Sequence, residues 1–305
     1  MSAAEFETSE TPVQMPANGL RFCVETRGKP EGEPVMFVMG LAGQMTLWPD
    51  SLIDQYTRAG YRVILFDNRD IGLSSRLKGH VKGHPLKAMA RYRLGLSVPA
   101  PYTLYDMADD LVGILDAMAI DSVHLFGISM GGMISQLVAG RYPERVRSAT
   151  LVMTSANSPS LPMPKPALIW KLSGGGTNGH DEASVVERSV RFWQAIQSPD
   201  YPADLDEVAE RVRSDYRRSY YPAGILRQTR AILGAGSLVN VTRQIRVPTT
   251  IIHGKDDPLV RPVAAEQLSH LIPHAHRHMI PGMGHDLPNA LMPTLAGHSL
   301  DMIRG

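Results

Sequence analysis

Gly127-Ile128-Ser129-Met130-Gly131, followed by Gly132, spells G-x-S-x-G. A serine hydroxyl is a weak nucleophile at neutral pH until a base takes its proton and an anion orients that base. The setting suits this chemistry. Ser122-Val123-His124-Leu125-Phe126 is apolar and β-branched enough for a buried strand, and Met133-Ile134-Ser135-Gln136-Leu137-Val138-Ala139 carries a helical pattern. A serine at a sharp strand-to-helix turn is a nucleophile elbow. The turn strains the serine backbone. The residues two before and two after it must lack bulk so that strand and helix can close. The helix starting there also points free N–H groups at the place where an oxyanion would form.

The acid and the base are sought downstream of such a serine, in that order. His253-Gly254-Lys255-Asp256-Asp257-Pro258-Leu259-Val260 follows an expected strand at 250–252. It therefore falls at the carboxyl edge of the sheet, where active sites gather. Asp257, directly before Pro258-Leu259-Val260, is the favoured acid. Asp256 competes for the role, and a solvated turn also suits it. The base is His285, in Pro281-Gly282-Met283-Gly284-His285-Asp286-Leu287-Pro288, after the last strand and before the last helix. An oxyanion hole needs two main-chain N–H donors. Met130 supplies one, and the loop Met39-Gly40-Leu41-Ala42-Gly43-Gln44 supplies the other, with Leu41 chosen; both residues can also line the pocket. Further substrate contacts are expected from Met39, Gly40 and Met153. Trp170 and Trp193 either shape the entrance or hold their own segment together. Sixteen methionines, several near these loops, suit a permissive apolar pocket, although core packing explains many of them. His274, His276 and His278 alternate without a carboxylate or thiol, so no metal site and no cofactor are expected.

The elements that must position these groups alternate. Strands are expected at 20–26, 34–39, 61–66, 122–126, 149–153, 247–252 and 276–280, and helices at 48–59, 104–119, 263–271 and from 289. Met107, Leu111, Leu115 and Met118 share one helical face. Strands alternating with helices imply a parallel sheet covered on both faces. After Ser155 the rhythm breaks at clustered prolines and glycines, and helical patterns follow at 183–196 and 204–216. Residues 155–240 are too long for an ordinary connection and are expected as a helical cap. They interrupt a core made of 19–154 and 241–305, after a polar N-terminal extension, 1–18.

The 305 residues suffice for such a domain, and 43% hydrophobic with 20% charged residues marks a globular chain. A net charge of +1 gives no drive toward nucleic acid or membrane. Arg76, Lys78, Lys82, Lys87, Arg91 and Arg93 fall between Asp70 and Asp106 with no acidic residue among them. That stretch reads as a solvated face, or else as an entrance flap or subunit contact. No arginine pair marks a site for anionic substrates. Cys23 is the single cysteine and is expected as a buried thiol in a strand; no internal disulfide is possible. Neither a signal peptide nor a membrane span is read, and a cytoplasmic location is expected.

Together these residues resemble the α/β-hydrolase superfamily and, within it, bacterial esterases similar to anthracycline methyl esterases. The resemblance runs from about Asn18 to the end. It also rests on Asp67-Asn68-Arg69-Asp70-Ile71-Gly72-Leu73-Ser74, similar to the family's D-x-R-G-x-G-x-S loop, and on Trp48 opening the first helix. Met39 stands where the family often has histidine, which makes the wall beside the hole more apolar, and Asp70 stands where glycine is frequent. The resemblance implies an eight-stranded, mostly parallel sheet and a two-step acyl-enzyme mechanism. The expected function is a serine carboxylesterase, monomeric or homodimeric, acting on small, uncharged esters of short to medium chain length. Lactonase, carbon–carbon hydrolase and perhydrolase chemistries use the same three residues, and a non-catalytic ligand receptor is the reading from another class. Dehalogenase and epoxide hydrolase chemistry is disfavoured because the elbow carries serine, not aspartate.

Overall fold

The short apolar runs form the strands of one sheet. The structure is a computed structural model and describes residues 11–81, 83–164, 168 and 179–305. Among these, the strands are β1 (Val13–Ala17), β2 (Leu20–Arg27), β3 (Pro34–Val38), β4 (Arg62–Phe66), β5 (Val123–Ile128), β6 (Val146–Val152), β7 (Thr249–Gly254) and β8 (His276–Ile280). Their spatial order is β1-β2-β4-β3-β5-β6-β7-β8. The first two pairings, β1 with β2 and β2 with β4, are antiparallel and the rest parallel. This is the mostly parallel eight-stranded α/β sheet that the resemblance implies. β5, which leads to Ser129, is buried along its whole length, so both its faces must be covered by helices.

The helices are α1 (Asp50–Arg58), α2 (Pro85–Arg93), α3 (Leu104–Ala117), α4 (Met130–Arg141), α5 (Glu182–Ile196), α6 (Leu205–Arg218), α7 (Pro222–Ala235), α8 (Val239–Thr242), α9 (Val263–Leu271) and α10 (Met292–Arg304). Two apolar clusters hold the layers together. One joins Met107, Leu111 and Leu115 of α3 to Ile134 and Leu137 of α4. The other joins Leu52, Ile53 and Tyr56 of α1 to Met292 and Leu295 of α10. In the second, Phe37 of β3 stacks on Phe126 of β5 at 4.9 Å and meets Trp48 edge-on at 5.0 Å. These layers fix β3 and β5 side by side, with Val38 opposite Gly127. Among the described residues, no helix is long and apolar enough to cross a membrane.

Three sequence expectations need correcting. The polar extension does not run through residue 18: Val13–Ala17 is the edge strand β1, with Met15 and Ala17 buried. Asn18 and Gly19 take φ of +49° and +74° between the paired Ala17 and Leu20. Both values are those of a two-residue hairpin turn, which Asn-Gly favours. The first helix starts at Asp50 rather than at Trp48, because Pro49 precedes it in an extended conformation and Trp48 drops into the core. The inserted helices α5–α7 include one, α7, that is not among the helices expected from sequence, yet it reaches the loops around Ser129.

Candidate active site

Ser129 links β5 to α4 with φ +51° and ψ −119°, a strained conformation for a non-glycine residue. The surrounding glycines are required by contact. A Cβ on Gly127 would lie 2.3 Å from the Ser135 hydroxyl, and one on Gly131 would lie 1.9 Å from the Val38 carbonyl oxygen. A Cβ on Gly40 would come within 3.3 Å of the Ser129 Cβ. The Ser129 N–H donates to Val152 O at 3.0 Å, and the Thr154 hydroxyl donates to Ser129 O at 2.6 Å.

His285 and Asp257 meet this serine from the loops after β8 and β7. His285 Nε2 lies 3.0 Å from Ser129 Oγ, and its Nδ1 lies 2.7 Å from Asp257 Oδ2. A carboxylate on Nδ1 holds the proton there, which leaves Nε2 as the acceptor facing the hydroxyl. Asp257 is buried, and its Oδ1 accepts the N–H groups of Leu259 and Val260, each at 2.8 Å. Burial pushes its carboxyl pKa up, but His285 and His253 outweigh that and hold it below its usual value. Asp256 is exposed and accepts the Gly282 N–H at 2.9 Å. It braces the histidine loop from outside.

His253, on β7, is not among the site residues expected from sequence. Its ring is fully buried, with Nε2 2.8 Å from Val260 O and 3.3 Å from Asp257 Oδ2. Its only sequence signal is the i, i+4 spacing from Asp257. The end of α5 also holds the histidine loop. His285 N–H donates to Ile196 O at 2.8 Å and Gly284 N–H to the Ser198 hydroxyl oxygen at 2.8 Å, while Ser198 donates to buried Asp286. No sequence pattern marks Ser198.

Met130 is the first residue of α4, so its N–H has no acceptor within the helix. In the loop after β3, the Ala42 N–H goes to Gln228 Oε1 and the Gly43 N–H to Gly40 O. Leu41, half-buried between them and Gly40, keeps its N–H out of these bonds. Met39 is buried, its side chain is packed on Gly43, and its carbonyl accepts from Asn68. Met153 is buried at φ +41° beyond β6. Trp193 stands half-buried on α5, one turn before Ile196, and Trp170 lies outside the described residues. His278 stacks on His298 at 3.7 Å between ring centres, and His274 bonds to Val247 O. Of the basic stretch, Arg76 stacks on Tyr221 and donates to Ser219, so it faces the inserted helices; Lys82 lies outside the described residues.

Asp70, set where the resembling family often has glycine, takes φ +70°. It fills a left-handed position that glycine would adopt freely. The position also carries a carboxylate that holds Arg227 at 2.8 Å and the Leu77 N–H at 2.7 Å.

Comparison with known proteins agrees with this architecture. The rhodomycin D methylesterase DnrP of Streptomyces peucetius is 25% identical over 290 residues, covering 89% of this chain and 91% of its own. The enol-lactonase of Burkholderia xenovorans LB400 superposes with a TM-score of 0.74 at 18% identity, over 96% of this chain and all of that one. The meta-cleavage product hydrolase CumD of Pseudomonas fluorescens IP01, a mutant form complexed with acetates, superposes with a TM-score of 0.71 at 21% identity, over 97% of each chain. At such identities the two structures speak for the fold alone. The sequence model of the α/β hydrolase fold matches residues 33–288, and the chain belongs to the α/β-hydrolase family.

Proposed function

We propose that this hydrolase is a serine carboxylesterase working through an acyl-enzyme. The observation that carries the reading is the continuous line from Ser129 Oγ through His285 to the buried Asp257, at 3.0 and 2.7 Å. Ser129 attacks the ester carbonyl while His285 Nε2 takes its proton. Asp257 keeps the ring in the right tautomer and stabilises the imidazolium. The Leu41 and Met130 N–H groups hold the tetrahedral oxyanion. His285 then protonates the leaving alcohol, and the same ring activates the water that releases the acid. The described helices α5–α7 of the inserted segment serve as the cap over this centre, and the buried methionines Met39 and Met153 back an apolar acyl pocket. Its substrates are small, uncharged esters with short to medium acyl chains, in keeping with a methylesterase among the relatives.

The test is pre-steady-state hydrolysis of p-nitrophenyl esters of increasing acyl length, beside Ser129→Ala. A burst stoichiometric with enzyme is expected at short to medium lengths. The variant should lose on the order of 10⁶-fold in kcat, the effect of removing a serine nucleophile elsewhere. A Ser129→Ala protein that keeps turning over esters would end this reading. A second reading concerns charge. Arg93 and Arg261, an arginine pair that the sequence does not show, line one cleft with Leu259 and Val260, whose N–H groups hold Asp257; a carboxylate remote from the ester would pair with them there. A lower KM for monomethyl glutarate than for methyl butyrate would favour it; equal values would dismiss it.

A further inference from the structure

The Leu41 N–H belongs to a loop whose internal hydrogen bond, from the Gly43 N–H to Gly40 O, is long at 3.3 Å. Ala42, the next residue, takes φ +64°, a region where alanine is strained. Such a conformation persists only when its surroundings impose it. The group that reaches it comes from α7. Gln228 is fully buried, its Oε1 accepts the Ala42 N–H at 3.1 Å, and its Nε2 donates to Arg69 O at 3.0 Å.

The Ala42 N–H lies in the peptide plane that begins at the Leu41 carbonyl. The Leu41 N–H lies in the plane before it, whose Gly40 carbonyl accepts the Gly43 N–H at 3.3 Å. Gln228 holds the plane on the other side of Leu41, so only the φ and ψ of Leu41 separate the held amide from the oxyanion donor. The amide has little freedom to wander. Its neighbour Arg227 grips Asp70 through two bonds of 2.8 Å, on the same loop that carries Arg69. One helix turn thus ties the loop after β4 to the loop after β3. The far end of the latter is tied separately, by Gln44 Nε2 to the Asp215 carbonyl at 2.7 Å and to the Ser219 carbonyl at 3.1 Å. At its near end, Asn68 bonds to the Met39 carbonyl at 3.1 Å. Among these ties, Gln228 is the one that bonds to the peptide unit adjoining Leu41.

We infer that Gln228 is a positioning residue for the oxyanion hole, so that the inserted helix α7 sets the aim of the Leu41 N–H. The inference rests on the esterase reading for its kinetic consequence, but the bond itself can be tested without turnover. The variants are Gln228→Met, which keeps the bulk and removes both bonds, and Gln228→Glu, which keeps an acceptor for Ala42. Amide exchange at Ala42 should quicken at least ~10-fold in the methionine variant and stay slow in the glutamate variant. In steady-state ester hydrolysis, Gln228→Met should lose ~10- to 100-fold in kcat with little change in KM, the scale of a displaced catalytic group. Affinity for a trifluoromethyl ketone, whose adduct places an oxyanion in the hole, should fall in parallel, and Gln228→Glu should recover most of both losses. Should Gln228→Met fail to fold, Gln228→Asn, which keeps the amide and shortens its reach, takes its place in the same assays. Unchanged kcat and ketone affinity in the folded variant would overturn the inference, as would a glutamate variant no better than the methionine one. Ala42 exchange that ignores the substitution would overturn it whatever the enzyme turns over. Failure of the esterase reading would show separately, in wild-type protein and in Ser129→Ala.

Discussion

Asp257 carries the heaviest electrostatic demand on any single residue of the site. Two main-chain N–H groups and two imidazoles converge on one buried carboxylate. The histidines outweigh burial and depress its pKa, which favours the ionised form facing the imidazole. Its stabilising contribution is present above the unfolded-state value of about 3.9 and is lost as pH falls through the depressed folded value. Asp257→Asn should therefore lower kcat on the order of 10⁴-fold, and the gap from wild type should persist from about pH 5 to 9. Rate–pH profiles of the two proteins check this; curves that converge toward pH 5 would show that Asp257 binds a proton there. The order of Ser129, Asp257 and His285 along the chain, and the Pro258 that follows Asp257, let sequence single out three residues that the fold brings into one hydrogen-bonded line. His253 is not legible, because its role depends on a ring turned into the core beside Asp257. Asp70 is visible as a departure, but its positive φ and its distant arginine partner are not.

At the scale of elements, the strands and glycines of the elbow can be read because local patterns dictate them. β5 is apolar throughout, and each flanking glycine answers a contact with an adjoining chain segment. The Asn18-Gly19 hairpin carries an equally local signal, but a polar start masks the alternation of Val13–Ala17. What local pattern does not encode is the clasp between the end of α5 and the histidine loop. Ser198 is central to it, and Ser198→Ala leaves the buried Gly284 N–H without its acceptor. A lost buried partner costs about 1–3 kcal/mol. The clasp is also pH-dependent. Burial raises the Asp286 carboxyl pKa, while the Ser198 bonds and His285 oppose the rise. Without the serine hydroxyl the folded-state pKa climbs further. A raised folded value gives stability that is present at low pH and lost as pH rises through it. The variant should thus lose more stability at pH 8 than at pH 4, as read from urea denaturation at both. An equal loss at the two values would place Asp286 outside the effect.

For the whole molecule, the question is what binds the inserted helices to the sheet domain. Ala231 of α7 sits in the apolar core, and beside that contact the attachment is polar and buried. Arg218 of α6 pairs with Asp67 at 2.8 Å, and Arg227 of α7 pairs with Asp70 at 2.8 Å through two nitrogens. Arg227 also donates to the Gly79 carbonyl and the Tyr221 hydroxyl. Both carboxylates lie on the loop after β4, have no exposed side-chain surface and stand about 150 residues from their arginines. Separation of that order is why neither attachment is legible in sequence. Such pairs add little net stability when made, because desolvation offsets their attraction, yet breaking one strands a buried charge. Arg227→Met should cost about 3–5 kcal/mol for that reason. Asp70→Asn combined with Arg227→Met should recover most of it, because the stranded carboxylate is then gone. Urea denaturation of the two variants measures the difference, and limited proteolysis reports whether α5–α7 open first. If the double variant were as unstable as the single one, the cost would lie in lost packing around Arg227 rather than in a charge left alone, and the inserted helices would be held by shape instead of electrostatics.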